Sequence, residues 1–199
     1  MPPLELDRMP ADPIEQFAVW FEEAWEVVPL AEAMTLATVD AADVPDARMV
    51  LLKGFGPAGF RFFTNYESAK GRELEANPRA ALVLYWRELD RQVRVRGPVT
   101  RIPATESDEY FAIRPRDSRI AAAVSPQSQP IERDELDRRF RELAAELGDS
   151  DVPRPDHWGG YLVRPESIEF WQGRHSRMHD RILYAREHGG GWAIERLAP

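Results

Sequence analysis

The chain contains no cysteine, and this absence excludes several kinds of chemistry at once. Disulfides, thiolate-bound metals, iron–sulfur clusters and cysteine nucleophiles all need a thiol. Positive charge is also in deficit, because the chain has 26 Lys and Arg residues and 34 Asp and Glu residues, which gives a net charge of −8. Nucleic-acid binding depends on a basic surface, so we expect no nucleic acid among the partners of this protein.

Long apolar segments are missing too. No run of about 18 apolar residues could span a membrane, and the first residues lack the basic and apolar stretches of a secretory signal. Taken with the absence of cysteine, this predicts a cytoplasmic protein without a membrane segment. With 199 residues, 43% of them hydrophobic, the chain can still bury one sizeable core.

Short β-like segments joined by turns dominate the chain. About eight segments rich in apolar and β-branched residues lie between residues 34 and 197, and three or four helices are inserted among them. Strands and helices do not alternate regularly, which disfavours a doubly wound parallel sheet. We therefore expect a mainly β protein with inserted helices (α+β), built on an antiparallel barrel. Residues 1–11 are predicted to be a flexible lead-in and residues 12–199 a single domain.

The first helix has the clearest start signal. Asp12 is a predicted N-cap and Pro13 the first helical residue. Apolar residues then recur at spacings of three and four, which predicts one buried face. The residues of that face are Ile14, Phe17, Phe21, Trp25 and Val28. We expect this face to pack in the core or in a dimer contact.

A glycine pattern at residues 54–59 matches G-x-G-x-x-G. A dinucleotide site needs a helix directly after the glycines, so that the helix N-terminus can hold the pyrophosphate. Here Pro57 lies inside the pattern and a strand-like stretch, residues 60–64, follows it. The glycines therefore predict a hairpin rather than a nucleotide site.

The segment from Ile168 to Arg181 carries the densest set of functional groups. A strand-like stretch containing Trp171 comes first, and three arginines, two histidines and an aspartate follow within eight residues. If the last five residues are extended, Arg177, His179 and Arg181 point to one side. Guanidinium groups bind phosphate or carboxylate and stack on flat rings, so this face suits a planar anionic molecule. The alternative is a solvated charged turn after an edge strand.

Two other segments have groups that could bind phosphate. Ser68 is predicted to start a short helix with Lys70 in its first turn, where free N–H groups favour an anion. Tyr110 and Arg114 are four residues apart and share a helix face, and Ser118 follows beyond a proline. A phenol, a guanidinium and a hydroxyl together suit a phosphate. The alternatives are a surface lysine near a helix cap and an exposed helix face.

Several blocks of the chain resemble, in order, those of the pyridoxine (pyridoxamine) 5′-phosphate oxidases, and the resemblance covers nearly everything from about residue 34 onward. The blocks are Arg48-Met-Val-Leu-Leu-Lys53, Phe63-Thr-Asn65, Ser68-Ala-Lys-Gly71, Arg91-Gln92-Val, Arg114-Pro-Arg-Asp-Ser118, Gln127-Ser128, Trp158-Gly-Gly160, Trp171-Gln-Gly173 and Arg177-Met-His-Asp-Arg181. This resemblance implies a split β-barrel and a homodimer with FMN in the cleft between the subunits. It places the oxidase signature, with dimer and active-site contacts, in residues 158–199.

The resemblance also implies roles for individual residues. The FMN phosphate would be held by Arg48, Lys70 and Ser128. Contacts with the flavin or its ribityl chain would come from Lys53, Thr64, Gln92, Gln127, Trp171 and Arg181, with Met49, Val50, Leu51, Leu52, Phe63 and Ser68 also in the cofactor site. The substrate phosphate would be gripped by Lys53, Tyr110, Arg114 and Ser118, and the pyridine ring would be covered by the catalytic residues Arg177 and His179.

The implied reaction is the FMN-dependent oxidation of pyridoxamine 5′-phosphate and pyridoxine 5′-phosphate. Hydride would pass from the substrate C4′ to flavin N5, and O2 would then be reduced to H2O2. With the amine substrate, the imine formed would hydrolyse to pyridoxal 5′-phosphate and ammonia. Two alternatives stay open: a related flavin oxidase of the phenazine-pathway type, and a split-barrel protein that holds flavin without turnover. No metal is expected, because His175 and His179 lie among arginines.

Three features depart from the family pattern. Ala69 stands where many members carry arginine, Phe63 stands where tyrosine is common, and the Arg- and Tyr-bearing N-terminal segment that closes over substrate in relatives is missing. Without the arginine, FMN would bind more loosely or use another donor. In addition, Arg48 and Lys53 are five residues apart, so a regular strand would point them to opposite sides. A bulge, or a ligand that wraps the strand, would bring both to one site.

Overall fold

Residues 3–199, the part of the chain that the computed structural model describes, form ten strands, five α-helices and three 3-10 helices. The α-helices are α1 (Pro13–Val27), α2 (Ala69–Ala76), α3 (Ala104–Ala112), α4 (Arg116–Val124) and α5 (Arg133–Leu147). The strands are β1 (Ala33–Val39), β2 (Pro45–Leu51), β3 (Gly54–Gly56), β4 (Gly59–Asn65), β5 (Arg79–Trp86), β6 (Arg91–Arg101), β7 (Trp158–Val163), β8 (Ser167–Gln172), β9 (Asp180–Arg186) and β10 (Trp192–Arg196). The 3-10 helices cover Leu6–Arg8, Arg87–Leu89 and His175–Arg177. None of the helices in this part of the chain has the length and hydropathy needed to cross a membrane.

The strands form one antiparallel sheet that divides at β6. Along the main path the order is β10-β9-β8-β6-β5-β1-β2, while β7, β4 and β3 continue from β6 along a second path. Residues 91–96 of β6 pair with β8, whereas residues 99–101 pair with β7. Between them, a Cβ on Gly97 would lie 1.8 Å from the carbonyl oxygen of Arg164, so the backbones can meet there only at glycine. The prediction of an antiparallel barrel with inserted helices is confirmed, with ten strands in place of about eight.

The glycine pattern at residues 54–59 forms a hairpin, as predicted. Strands β3 and β4 pair antiparallel, with Gly56 opposite Gly59. Gly59 has a φ of +131°, which residues with a side chain rarely adopt. No helix follows the glycines, so the dinucleotide interpretation is excluded by the local structure.

Helix α1 packs on one face of the sheet and supplies much of the main core. Asp12 caps it by accepting a 2.9 Å hydrogen bond from the Ile14 N–H, and Pro13 is its first residue, both as predicted. Phe17 is fully buried, with its ring centroid 4.9 Å from that of Phe60. This aromatic contact joins the helix to β4.

One residue of the predicted buried face of α1 lies outside the core, while Ile14, Phe21 and Val28 pack partly buried against it. The buried residues are Pro13, Phe17, Trp20 and Ala24, whereas Trp25 is 60% exposed. A helix turns about 100° per residue, so a row spaced by four residues rotates about 40° per step away from a fixed face. The prediction made two successive steps of four, from Phe17 to Phe21 and on to Trp25, and this second step places Trp25 off the buried face.

Helix α4 was missed by the sequence analysis, which ended the preceding helix at Pro115. Pro115 lies at the N-cap of α4 with extended backbone, so the proline separates two helices rather than a helix and a loop. The helix packs on α5 in a second, smaller core. The buried residues of this core are Phe111, Ile120, Val152 and Trp158.

The N-terminal residues contact the far edge of the sheet. Of the predicted lead-in, residues 1 and 2 lie outside the described residues. The backbone N–H of Leu4 donates to the carboxylate of Asp180 at 3.2 Å, and Pro10 O accepts from the Tyr184 hydroxyl at 2.8 Å. The flexibility of this segment stays a prediction.

Candidate active site

A cleft of about 670 Å³ opens beside β2 and β4 and is closed by α2, α3 and α4. It gathers eleven of the predicted site residues from five separate segments. These are Met49, Val50, Leu51, Lys53, Phe63, Thr64, Lys70, Tyr110, Arg114, Ser118 and Gln127. Two of the three candidate phosphate-binding segments therefore share one cavity.

Lys70 is a buried cation at the base of this cleft. Ser68 caps α2 by accepting from the Gly71 N–H, which places Lys70 in the first helical turn. The Lys70 ammonium donates to Thr64 Oγ1 at 3.3 Å and to Ser68 Oγ at 3.4 Å. Within residues 3–199 no carboxylate lies at ion-pair distance from it. Burial, with the positive charge of nearby Arg48, lowers the pKa of Lys70 from its ordinary value of 10.5.

A stack of aromatic rings forms one wall of the cleft. The Tyr110 ring centroid lies 4.0 Å from that of Phe63, and Phe63 lies 5.5 Å from Trp158. The Arg114 guanidinium lies 4.6 Å from the Trp158 ring centroid, in cation–π geometry. Burial raises the pKa of the Tyr110 phenol, so this hydroxyl keeps its proton and can donate.

Arg114 carries an unsatisfied donor. Its Nη1 atom is buried and has no hydrogen-bond partner within the described part of the chain. Burial lowers the pKa of Arg114, as expected for a cation without a counter-ion. A buried guanidinium nitrogen without an acceptor is costly, and an anionic ligand in the cleft would satisfy it.

Arg48 and Lys53 would point to opposite sides on a regular strand, but the strand ends between them. Strand β2 ends at Leu51. The alternation of side chains along a strand, which sets the direction of Arg48, therefore does not apply to Lys53. Lys53 lies in the cleft, with its ammonium 3.8 Å from Glu32 Oε1. Arg48 does not line the cleft; its guanidinium contacts Asp46, Glu73 and Thr38.

Three further predicted cofactor residues lie outside the cleft lining. Leu52 is 4% exposed and belongs to the main core. Ser68 is fully buried and acts as the helix cap and as an acceptor for Lys70. Ser128 is exposed, with a positive φ of 68°, in the loop after α4.

The remaining predicted residues form a second cluster, on or beside strands β6, β8 and β9. Gln92, Trp171 and Arg181 are direct partners across β6, β8 and β9, so their side chains share one face. Trp171 and His179 line a second cavity of about 890 Å³. Arg181 donates to Glu169 Oε1 at 2.8 Å.

An extended conformation of residues 177–181, the condition for Arg177, His179 and Arg181 to share one side, is not found. Residues 175–177 form a 3-10 turn, Ser176 and Arg177 have φ values of 59° and 61°, and β9 begins only at Asp180. Side-chain alternation therefore does not relate Arg177, His179 and Arg181. His179 instead packs on Trp171, with ring centroids 4.7 Å apart, and Arg177 is exposed.

The two clusters are far apart within one chain. Between β8, which carries Trp171, and β2, which carries Met49, the sheet path makes four strand steps. At about 4.8 Å per step, this is roughly 19 Å along the sheet. Trp171, His179 and Arg181 are accordingly absent from the lining of the cleft.

Some residues of the site were not identified as functional from the sequence. Trp158 supports Arg114 and Phe63, and Asn65 and Ser125 line the cleft. The Trp158-Gly-Gly160 block carried a signal, but nothing in it indicated a ring stacked on a residue 44 positions earlier. Among the described residues no group of three or more His, Asp or Glu side chains is placed to hold a metal ion.

The divided antiparallel sheet and the cationic, ring-walled cleft define a split β-barrel protein whose cleft has the groups that suit an anion. Sequence comparison identifies a family within this class. The family described as "Pyridoxamine 5'-phosphate oxidase" matches residues 21–149, and the "Pyridoxine 5'-phosphate oxidase C-terminal dimerisation region" matches residues 158–199.

Curated relatives agree with the family match. The pyridoxine/pyridoxamine 5′-phosphate oxidase of Bordetella pertussis is 54% identical over 194 residues, which cover 97% of this chain and 92% of the relative. The protein of the same name from Rubrobacter xylanophilus is 56% identical over 195 residues, covering 97% of this chain and 89% of that relative. The chain therefore belongs to the pyridoxamine 5′-phosphate oxidase family.

Solved structures of related proteins have the same fold. The crystal structure of PhzG from Burkholderia lata, in complex with tetrahydrophenazine-1-carboxylic acid, has a TM-score of 0.92 and 30% identity and covers 97% of this chain and 95% of PhzG. A pyridoxamine 5′-phosphate oxidase-related, FMN-binding protein from Nostoc punctiforme has a TM-score of 0.79 at 20% identity, covering 96% and 100%, which supports the fold alone. Family membership confirms the predicted enzyme class, an oxidoreductase, with FMN as cofactor and a C-terminal region that forms homodimers.

Proposed function

We propose that this protein oxidises pyridoxamine 5′-phosphate and pyridoxine 5′-phosphate to pyridoxal 5′-phosphate, with O2 as the final electron acceptor. The products beside pyridoxal 5′-phosphate are H2O2 and, from the amine, ammonia. Bound FMN supplies the acceptor for two electrons and a proton. The observation that carries the proposal is Arg114, a cleft residue beside Lys53, Tyr110 and Ser118, whose buried Nη1 has no hydrogen-bond partner in the described part of the chain.

The substrate phosphate is bound by this group of four side chains. Arg114 is held against Trp158 before any ligand arrives, so little side-chain entropy is lost when the guanidinium binds. Tyr110 keeps its proton and donates, and Lys53 adds a second positive charge. A phosphate with two negative charges is matched by these two cations.

The FMN phosphate is bound at the base of the cleft. Lys70 is a buried cation whose partners are the hydroxyls of Thr64 and Ser68, so it can accept an anion without breaking an ion pair of its own. Gln127, which accepts from Thr64 Oγ1 at 3.3 Å, lies beside it. The β2 residues Met49, Val50 and Leu51 form the adjacent wall. Arg48 and Ser128, which lie outside the cleft lining, are the other members of the predicted phosphate set.

The second cluster acts from the other subunit of a homodimer. Gln92, Trp171 and Arg181 present one polar and aromatic row to the flavin, and Arg177 and His179 cover the pyridine ring. This arrangement follows from the separation of the clusters within one chain and is supported by the match of residues 158–199 to a dimerisation region. By positioning the ring and stabilising charge at the reacting carbon, these residues lower the barrier to oxidation.

A second candidate is a flavin oxidase of the phenazine-pathway type. It is favoured by the solved structure of PhzG, which has a TM-score of 0.92 to this chain. A carboxylate has one negative charge and two oxygens, so it uses Arg114, Tyr110 and Ser118 less fully than a phosphate does, which is why we place this candidate second. The predicted cytoplasmic location stays a prediction.

The test compares phosphorylated and unphosphorylated substrates. The FMN-loaded protein is supplied with pyridoxamine 5′-phosphate, with pyridoxamine and with a reduced phenazine carboxylate, and peroxide and aldehyde are measured. We expect the phosphorylated vitamer to have the highest kcat/KM. Arg114→Met should raise the KM for it by roughly 10- to 100-fold, the scale of one charged hydrogen bond. The control Arg133→Met changes an exposed residue of α5 and should leave KM unchanged.

Two results would count against the proposal. Faster turnover of the phenazine substrate would favour the second candidate. A flavin-loaded protein that releases no peroxide with any of the three substrates would instead be a flavin-binding protein without turnover.

A further inference from the structure

The four donors at the end of the Arg48 guanidinium are already engaged by this chain. Nη2 donates to Asp46 Oδ2 and, at 2.8 Å, to Glu73 Oε2. Nη1 donates to Thr38 Oγ1 and, at 3.5 Å, to the carbonyl oxygen of Leu36. A guanidinium has two N–H groups on each terminal nitrogen, so a new acceptor at Nη2 must replace one that is present.

Lys70 lies on α2 three residues before Glu73, about one helical turn away, so its buried ammonium belongs to the same group of charges. The charge of Arg48 contributes to the lowered pKa of Lys70, and the charge of Lys70 helps to lower the pKa of Asp46. Two cations thus face two carboxylates, Asp46 and Glu73, and the charges of this cluster balance before any phosphate enters. An incoming phosphate is attracted by the cations and repelled by the carboxylates.

The two carboxylates differ in how easily they can leave Arg48. Glu73 has a side chain only 10% exposed and also accepts from the buried hydroxyl of Thr38, so separating it from Arg48 would leave a buried charge unpaired. The side chain of Asp46 is 57% exposed, and water can solvate it once the contact breaks. Asp46 is therefore the partner that exchanges at lower cost.

We propose that Asp46 is the counter-ion that the flavin phosphate displaces from Arg48, and that this competition sets the affinity for FMN. The inference rests on the proposed function, which places the flavin phosphate at Lys70 and Arg48. Glu73 keeps hold of the guanidinium during the exchange and orients it. The carboxylate of Asp46 weakens FMN binding in two ways: it occupies an N–H donor of Arg48, and it repels the phosphate.

The experiment measures flavin binding to the apoprotein by the quenching of flavin fluorescence. FMN and riboflavin are titrated into the unaltered protein, Asp46→Asn, Arg48→Lys and Glu75→Gln. Glu75→Gln is the matched control, because it removes one negative charge from α2 at an exposed residue paired with Arg101. Asparagine keeps the shape of Asp46, and the thermal stability of each variant shows whether it has folded.

We expect Asp46→Asn to bind FMN about three- to fivefold more tightly, the scale of a half-exposed ion pair, with riboflavin binding unchanged. Arg48→Lys should weaken FMN binding and leave riboflavin binding unchanged, and Glu75→Gln should change neither. Equal or weaker FMN binding by folded Asp46→Asn would overturn the inference while leaving the proposed function intact. Failure of the unaltered protein to bind FMN would overturn both the inference and the proposed function. An Arg48→Lys variant with undiminished FMN affinity would remove Arg48 from the phosphate site and so overturn the inference.

Discussion

The backbone N–H of Arg174 donates a hydrogen bond of 3.1 Å to Nδ1 of His179. Since Nδ1 is an acceptor in this contact, the neutral imidazole carries its proton on Nε2. The same ring packs on Trp171. One backbone contact and one ring contact thus orient the histidine, although the segment around it is neither strand nor α-helix.

Arg177→Ala is expected to impair turnover while flavin stays bound. Arg177 is exposed, and within the described residues its side chain forms no hydrogen bond or ion pair, so its loss removes a charge near the substrate ring and little else. We expect kcat to fall by roughly 100-fold, the scale of one lost electrostatic contact to the reacting groups. Steady-state kinetics and the flavin content of the purified variant provide the two measurements. Unchanged turnover at saturating substrate would remove Arg177 from the catalytic role, and Arg133→Ala serves as the charge-matched control.

A heterodimer of two impaired variants is expected to recover activity. If each site takes Arg114 from one subunit and Arg177 from the other, a dimer of Arg114→Met with Arg177→Ala contains one site with both changes and one with neither. Such a heterodimer, isolated through two different affinity tags, should have roughly half the activity of the unaltered dimer. The assay uses substrate below KM. If both residues served the same subunit's site, the heterodimer would be no more active than the mean of its parents.

FMN affinity is expected to fall as the pH rises through the alkaline range. The pKa of Lys70 lies below 10.5, so the ammonium loses its charge at a lower pH than an ordinary lysine does. Phosphate binds the charged form more tightly, so affinity is highest below the lowered pKa and decreases above it. Titration of the apoprotein with FMN at several pH values measures the effect. Lys70→Arg should bind FMN with little pH dependence in this range, since an arginine stays charged.

Phe17→Ala is expected to destabilise the fold far more than a substitution on the opposite face of α1. Phe17 is fully buried against Phe55, Phe60 and Trp86, whereas Val19 is 53% exposed. Loss of the buried ring should lower the free energy of unfolding by about 3–5 kcal/mol, and Val19→Ala by less than about 0.5 kcal/mol. Urea unfolding at one fixed protein concentration measures the free energy of unfolding of each variant and of the unaltered protein. Equal effects would mean that the buried face of α1 is not the one described above.

The local patterns of the chain were sufficient for most of its elements. Asp12 and Ser68 cap helices where they were predicted to, because a cap depends on a few adjacent residues. The hairpin at residues 54–59 likewise follows from its own glycines and proline. The sequence could not decide whether residues 177–181 are extended, because charged residues set no periodicity and the positive φ values at Ser176 and Arg177 carry no signal in residue type.

By itself, the sequence determined the class of fold, the family and the kinds of side chain that the site would contain, since these depend on local spacing and on motifs within single segments. Only the tertiary structure decided which groups meet. It joined Arg114 to Trp158, turned Arg48 toward Glu73, and separated Trp171 from the cleft by several strands. Such contacts arise from strand order and from packing between distant segments, and no local pattern in a chain encodes them.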